Sequence, residues 1–352
     1  MRLGLIGCGD VAQRDYLPEL HRIADRVELA AVFSRSEERA RSIAKDYGIA
    51  RWYTDVAKLL ADSGVEAVAN LTPIPVHLDI TLAAFAAGKH VYTEKPLAST
   101  TADAVRIRDE AAKQGLVLVC APCSMLFPQV VRAKELLDAG TIGEVHSACG
   151  ILHGGVPPWK GVVADQSQYF VEGAGPAIDL GVYPLHALTG MLGPVRRVSA
   201  FTSKARESFT LIEGPNKGDV VPIQVDDNWH LLLDFGDTRI GTLSANNCSI
   251  GTKAPQLELH GLEGTIAVNV LDESQPIDLR QSGKGWEQID VPHQRSSGPD
   301  HILGIEHLEQ VVREGGAPLL SANHAIHVID VIEKAARSSK EGRVFDVDHT
   351  TF

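Results

Sequence analysis

Cationic side chains are what this chain has too few of: 33 Lys and Arg stand against 45 Asp and Glu, a formal net charge of −12 at pH 7. Nucleic acids and anionic membranes are held by clustered Lys and Arg. No basic tract interrupts the acidic balance, so neither is an expected partner. Cysteine offers no cross-linking scheme. The five thiols, Cys8, Cys120, Cys123, Cys149 and Cys248, are an odd set without the spacing of a disulfide framework. Cys120 and Cys123 bracket "CAPC", yet no second pair or His-x-x-x-His partner completes a zinc set. They read as structural cysteines at a strand end, and no metal is expected. Long hydrophobic runs are missing too. Glycines and Asp10 cut the apolar start "MRLGLIGCGD" too early for a signal-peptide core, and "GLVLVCAPCSMLF" is too short to span a bilayer. A cytoplasmic, reducing setting is the expectation.

What remains is an ordinary globular composition, 44% hydrophobic and 22% charged, in a chain of 352 residues that is long enough for two domains. The first third alternates short apolar runs with amphipathic stretches: "RLGLIG", "VELAAVF", "VEAVANL", "HVYTEKP" and "LVLVCAP" read as strands, with helical patterns between them. Strand and helix in alternation imply parallel strands with crossover helices, an α/β doubly wound sheet of the Rossmann type over residues 1–122. From about Gly143 the texture changes to strands joined by hairpin turns, such as Gly236-Asp237, followed by two helices, "DHILGIEHLEQVVREG" and "SANHAIHVIDVIEKAARSS". Residues 123–352 are therefore expected to form an α+β domain with an open, mostly antiparallel sheet.

The first strand runs into "LIGCGDVA", where Gly7, Gly9 and Ala12 form the G-x-G-x-x-[GA] pattern at a strand-to-helix turn. Gly7 permits the tight turn and Gly9 the approach of a pyrophosphate. The amides of Cys8, Asp10 and Val11 at the helix opening complete an anion cradle. A dinucleotide is the expected ligand. NAD enzymes commonly carry an acid at the end of the second strand; here "AVFSRSEER" places Ser34 and Arg35 there, with Arg39 one helical turn on. A hydroxyl and guanidinium groups suit a 2′-phosphate, so NADP is favoured over NAD.

"LTPIPVHLDITLAAFAAGKHVYTEKPLA" (Leu71 to Ala98), the glycine turn, "GAGPAIDLGVYPLHALTGMLGPV" (Gly173 to Val195) and the closing "HAIHVIDVIEKAARSSKEGRVFDV" together resemble the Gfo/Idh/MocA oxidoreductase family. That resemblance covers nearly the whole chain. It implies an NAD(P)-dependent oxidoreductase acting on a hydroxyl or carbonyl of a sugar, glycoside or cyclitol, and a homo-oligomer formed through the C-terminal sheet. It implies that Thr72, Pro73, His77 and Glu94 lie on the cofactor side. Lys95 would point at the reacting oxygen and the nicotinamide, and Asp179 is the acid of the family's D-x-G-x-H motif. Tyr183 stands where many relatives have His, and His186 where they often have Asp. "CAPCSMLFP" replaces an aromatic-Arg-aromatic segment, so substrate contacts there do not carry over.

"DLGVYPLH" holds Asp179, Tyr183 and His186 at helical offsets of four and three, one face of a helix if it starts or kinks at Pro184. A free Tyr titrates near ~10, so Tyr183 needs a cation such as Lys95 to move a proton at neutral pH, whereas His186 titrates nearer neutrality. Both remain candidates for the proton step. The loop "HGGVPPWKGVVADQSQYFVE" offers Trp159 to cover a sugar ring and Lys160 or Tyr169 to reach its hydroxyls; an ordered surface loop is the alternative. His301, His307, His324 and His327 read as structural or surface residues. Two other functions fit the same architecture: a non-catalytic dinucleotide-dependent sensor, and an NAD-dependent glycoside hydrolase.

Overall fold

The computed structural model describes residues 1–160, 165–292 and 298–352. It contains two compact units: Met1–Cys123 with Asp300–Ile326, and Ser124–Pro299 with His327–Phe352.

In the first unit, strands β1 (Arg2–Ile6), β2 (Glu28–Phe33), β3 (Arg51–Tyr53), β4 (Ala67–Asn70), β5 (His90–Thr93) and β6 (Leu118–Cys120) form one parallel sheet, ordered β3-β2-β1-β4-β5-β6. β4 is buried throughout and β1 from Leu3 onward, as expected where helices cover both faces. The crossovers include α1 (Glu37–Asp46), α2 (Val56–Leu60), α3 (His77–Ala86) and α4 (Thr101–Gln114). Three of them start on side-chain caps: Ser36 accepts the Arg39 N–H, Asp55 that of Ala57 and Thr100 that of Asp103. The order reverses between β1 and β4, so the loops leaving β1, β4 and β5 share one sheet edge at the topological switch point.

Two local features depart from the sequence expectation. The stretch "VAQRDYLPELHRIA" does not form one α-helix. A π-helical turn (Ala12–Tyr16) passes into a 3₁₀ segment (Leu17–Ile23), because Pro18 has no N–H to continue the ladder. The short edge strand β3 and the single-turn helix α2 also escape the periodicity pattern.

The second unit opens with α5 (Pro128–Asp138) and β7 (Val145–His153), and α6 (Val182–Leu192) precedes β8 (Arg197–Ser203). A small hairpin pairs β9 (Ser208–Thr210) with β10 (Val220–Pro222). Strands β11 (Asn228–Gly236), β12 (Arg239–Asn246), β13 (Leu257–Gly261), β14 (Gly264–Val268), β15 (Ile277–Gln281) and β16 (Trp286–Ile289) follow as hairpins. The large sheet runs β16-β15-β14-β13-β7-β12-β11-β8-β17, with β17 (Phe345–Asp346) at its edge. The β11–β12 turn puts Asp237 and Thr238 at φ 49° and 71°, the positive values that match a two-residue hairpin to strand twist. β7 lies inside the sheet and pairs in parallel with β12, a pairing that successive hairpins alone do not produce; the long intervening chain supplies the crossover.

The closing helices are α7 (Ile302–Glu314) and α8 (Ala322–Glu341). Sequence order puts α7 after the hairpin sheet, but it belongs to the first unit. It packs so closely there that a methyl on Gly304 would lie 2.3 Å from the Tyr92 ring and 2.8 Å from Cys123 Sγ. Among the described residues no helix is long and apolar enough to cross a membrane.

Candidate active site

The glycine turn leaves β1 at Gly7, whose φ of 104° lies in the region open to glycine. Its N–H donates to Phe33 O at 3.1 Å, and a Cβ there would sit 2.7 Å from Leu71 O. Gly7 thus lets the ends of β1 and β4 touch. Gly9 differs: a Cβ would meet nothing within 4 Å. Asp10 and Val11 open the helical turn, and Gln13 closes it with its main-chain N–H on Gly9 O and its amide on Cys8 O, each at 3.1 Å. The buried Cys8 thiol donates to Phe33 O at 3.3 Å. Burial pushes it up to about 11 against the pull of the Arg39 cation, so it is an inert thiol.

At the end of β2, Ser34 is buried and its hydroxyl accepts the Ser36 N–H at 3.3 Å. Arg35 and Arg39 are exposed. Beside them lies a cleft of about 730 Å³ whose walls include Gln13, Ser36, Glu38, Arg39, Asp46 and Tyr47.

After β4, Asn70 ties the chain down: its Oδ1 accepts the Thr72 hydroxyl at 2.6 Å and the Thr72 N–H at 3.3 Å, while its amide donates to Thr81 at 3.2 Å. Pro73 follows at the surface. His77 has no exposed surface, and its two ring nitrogens lie 2.8 Å from the carbonyls of Thr72 and Pro96. Burial lowers its pKa while the two carbonyls pull it up. His77 thus ties the Thr72 loop to the Lys95-Pro96 turn.

Lys95 is half-buried just beyond β5, and its N–H donates to Glu94 Oε2 at 2.9 Å. Glu94 Oε1 accepts the Tyr16 hydroxyl at 2.5 Å, and Tyr92 Oη lies 2.7 Å from Tyr16 Oη. The His301 ring stacks on Tyr16 at 5.6 Å, with Nδ1 3.9 Å from Glu94. Burial first, then the Glu94 charge, holds the Tyr16 hydroxyl far above the usual phenol range; burial does the same for Tyr92. The thiols of "CAPC" are also buried, Cys123 being pushed up to about 12, which makes them packing groups and not a redox pair. Sequence reasoning passed over Tyr16 and Tyr92, since single tyrosines in an amphipathic stretch and on an apolar strand carry no pattern of their own; His301, read as structural or surface, is buried against Tyr16.

In the second unit a π-helical turn (Ala177–Gly181) leads directly into α6. Asp179 sits on that turn, half-buried, its N–H donating to Gly175 O at 3.0 Å. Tyr183 and His186 lie on α6, 5% and 6% exposed. Pro184 follows the π turn in continuous helical backbone, so its missing N–H removes one bond from the ladder where the π turn passes into α6. The wider π turn alters the spacing of Asp179 relative to the other two. Trp159 packs its face on Phe170 at 5.4 Å and meets Tyr169 edge-on at 5.6 Å, above a small core of Phe170, Phe209, Leu211, Val221 and Ile223. It is part of a packed wall, pinned further by the Gln166 amide on its main chain, while Lys160 is exposed. Residues 161–164 of that loop lie outside the described residues.

Residues 1–121 match the model of the oxidoreductase family with an NAD-binding Rossmann fold, and residues 130–267 the GFO/IDH/MocA C-terminal domain. D-glucoside 3-dehydrogenase of Escherichia coli (strain K12) is 31% identical over 281 residues, 78% of this chain and 72% of that one. The chain belongs to the Gfo/Idh/MocA oxidoreductase family. Another member, dTDP-3,4-didehydro-2,6-dideoxy-alpha-D-glucose 3-reductase of Streptomyces violaceoruber, is 36% identical over 199 residues, a match spanning 56% of each chain. The match thus spans little more than half the length of that curated relative. Levoglucosan dehydrogenase in complex with NADH and levoglucosan shares the fold at a TM-score of 0.85, with 21% identity over 99% of both chains. A family member of this kind binds NAD on its Rossmann unit. The open space at Gly9, where the strand-to-helix turn opens a helix, fits a pyrophosphate. Among the described residues no group of three or more His, Cys, Asp and Glu is placed to hold a metal ion.

Proposed function

We propose that this protein is a sugar or polyol dehydrogenase or reductase acting on a CH–OH carbon. The observation that carries the reading is the convergence of the Gly7 turn, the Thr72 loop and the Lys95 turn on one sheet edge at the switch point, where open α/β sheets bind ligands. A bound nicotinamide dinucleotide supplies the hydride chemistry. The residues Gly7 to Val11 hold its pyrophosphate. Ser34, Arg35 and Arg39 receive a 2′-phosphate, so NADP is preferred; no acid at the end of β2 opposes it, although Glu38 and Asp46 temper the charge of the adjoining cleft.

Lys95 provides the cation that stabilises oxyanion character on the reacting oxygen. Tyr183 hands over or takes up the hydroxyl proton, with His186 as the rival for that step, and Asp179 orients a substrate hydroxyl. Trp159, Lys160 and Tyr169 form a substrate wall. The open face of the large sheet pairs two copies. Phe201, Leu232 and Ile240, 81%, 53% and 52% exposed, share that face by strand register.

The test is a titration of the purified protein with NADPH and NADH, followed by a screen against aldoses, glycosides and inositols in both directions. Turnover with at least one of these supports the reading. Tight dinucleotide binding without any turnover points to a sensor instead, and sugar release without net cofactor reduction to a hydrolase.

A further inference from the structure

The Lys95 turn is held by groups that no step of hydride transfer requires. Glu94 is buried, and both its oxygens face donors that are fixed in the fold: Tyr16 Oη at 2.5 Å and the Lys95 N–H at 2.9 Å. Tyr16 has one proton and gives it to Glu94. The Tyr92 hydroxyl, 2.7 Å away, therefore donates to Tyr16. Cys123 Sγ lies 3.5 Å from Tyr92 and donates its one proton to the His301 carbonyl at 3.7 Å. The two hydroxyls point one way, toward the carboxylate. Glu94 is accordingly an anchor for the turn and not a proton carrier.

Tyr16 is itself held on all sides. It ends the π turn that opens at the glycine loop, and the His301 ring lies against it at an interplanar angle of 25°. In the following 3₁₀ segment, Arg22 is clamped by both oxygens of buried Asp300, at 2.9 and 2.7 Å. The residues leading into α7 thus staple the segment carrying Tyr16 onto the unit.

We propose that Tyr16 is a positioning residue: through Glu94 it fixes the main chain from which Lys95 projects, and it ties the glycine turn mechanically to the lysine turn. The role in catalysis rests on the reading of Lys95 given above, whereas the tie itself does not. Seating a dinucleotide at Gly9 and aiming Lys95 become coupled events, because one short helical segment serves both.

The experiment compares Tyr16→Phe, which keeps the buried ring and deletes the donor, with Tyr92→Phe, which removes only the next hydroxyl along. Hydrogen exchange at the Lys95 amide is read in the free protein, and binding of NADPH, NADH and ADP-ribose is measured by titration. Tyr16→Phe is expected to speed Lys95 exchange by about tenfold or more while exchange in the β1 core stays unchanged. It is expected to weaken the reduced dinucleotides about fivefold and to spare ADP-ribose, which lacks the nicotinamide ring. Tyr92→Phe should stay close to the parent protein in both readouts. Unchanged Lys95 exchange in Tyr16→Phe overturns the proposal, as does equal weakening of ADP-ribose and the full dinucleotides. Faster Lys95 exchange in a protein that binds no dinucleotide supports the tie and overturns the proposed function instead.

Discussion

Two alanine substitutions two residues apart are expected to fail in opposite ways. At Gly7 the φ of 104° is strained for any residue with a Cβ, at about 1–3 kcal/mol. The added methyl would also lie 2.7 Å from Leu71 O and 3.0 Å from Thr72 N, both backbone atoms that cannot rotate away. Forcing β1 and β4 apart adds about 1–3 kcal/mol of overpacking. Gly7→Ala should therefore lose about 2–6 kcal/mol of stability in urea unfolding, a large share of what holds a domain together. At Gly9 nothing lies within 4 Å of the new methyl, so Gly9→Ala should unfold within about 0.5 kcal/mol of the parent. The same methyl fills the space left for a pyrophosphate, and dinucleotide affinity should fall about tenfold or more. Urea denaturation followed by fluorescence titration with NADPH and NADH reads both effects. A fully stable Gly7→Ala would refute the close-approach argument, and a Gly9→Ala that binds dinucleotide like the parent would refute the placement of the phosphates.

Replacing Arg39 and Arg35 with Ala should cost affinity for NADPH by about tenfold and leave NADH nearly unchanged, as comparative titrations will show. Tyr183→Phe should lower kcat by about a hundredfold with little change in KM, whereas His186→Asn should leave most of the rate; steady-state kinetics showing the reverse would move the proton step to His186. His327 accepts the Val195 N–H at 3.1 Å on Nε2 and donates from Nδ1 to His349 O, and burial pulls its pKa from 6.5 to about 4. Its depressed folded value means that it contributes stability fully above pH 6.5, and this is lost as the pH falls from 6.5 to about 4. The loss amounts to about 3 kcal/mol. Denaturation midpoints measured across that window should fall in the parent and stay flatter in His327→Gln.

The parallel sheet and its glycine turn were legible in the sequence because both rest on local chemistry. Buried strands read as apolar runs, and a strand-to-helix turn with Gly7 and Gly9 has few other uses. The hairpins of the second unit were legible for the same reason, although the β11–β12 turn falls on Asp237-Thr238, one residue beyond the expected Gly236-Asp237. Lys95 and Glu94 stood out through family resemblance rather than through any spacing of their own, whereas Asp179 also stood at helical offsets from Tyr183 and His186. The tertiary structure alone decided what surrounds them. α7 packs with strands some two hundred residues earlier, bringing His301 onto Tyr16, and β7 inserts in parallel beside β12. Tyr16 and Tyr92 have roles only through partners distant in the chain. A hydrogen bond depends on where two groups meet in space, and sequence periodicity reports only which face a residue turns inward.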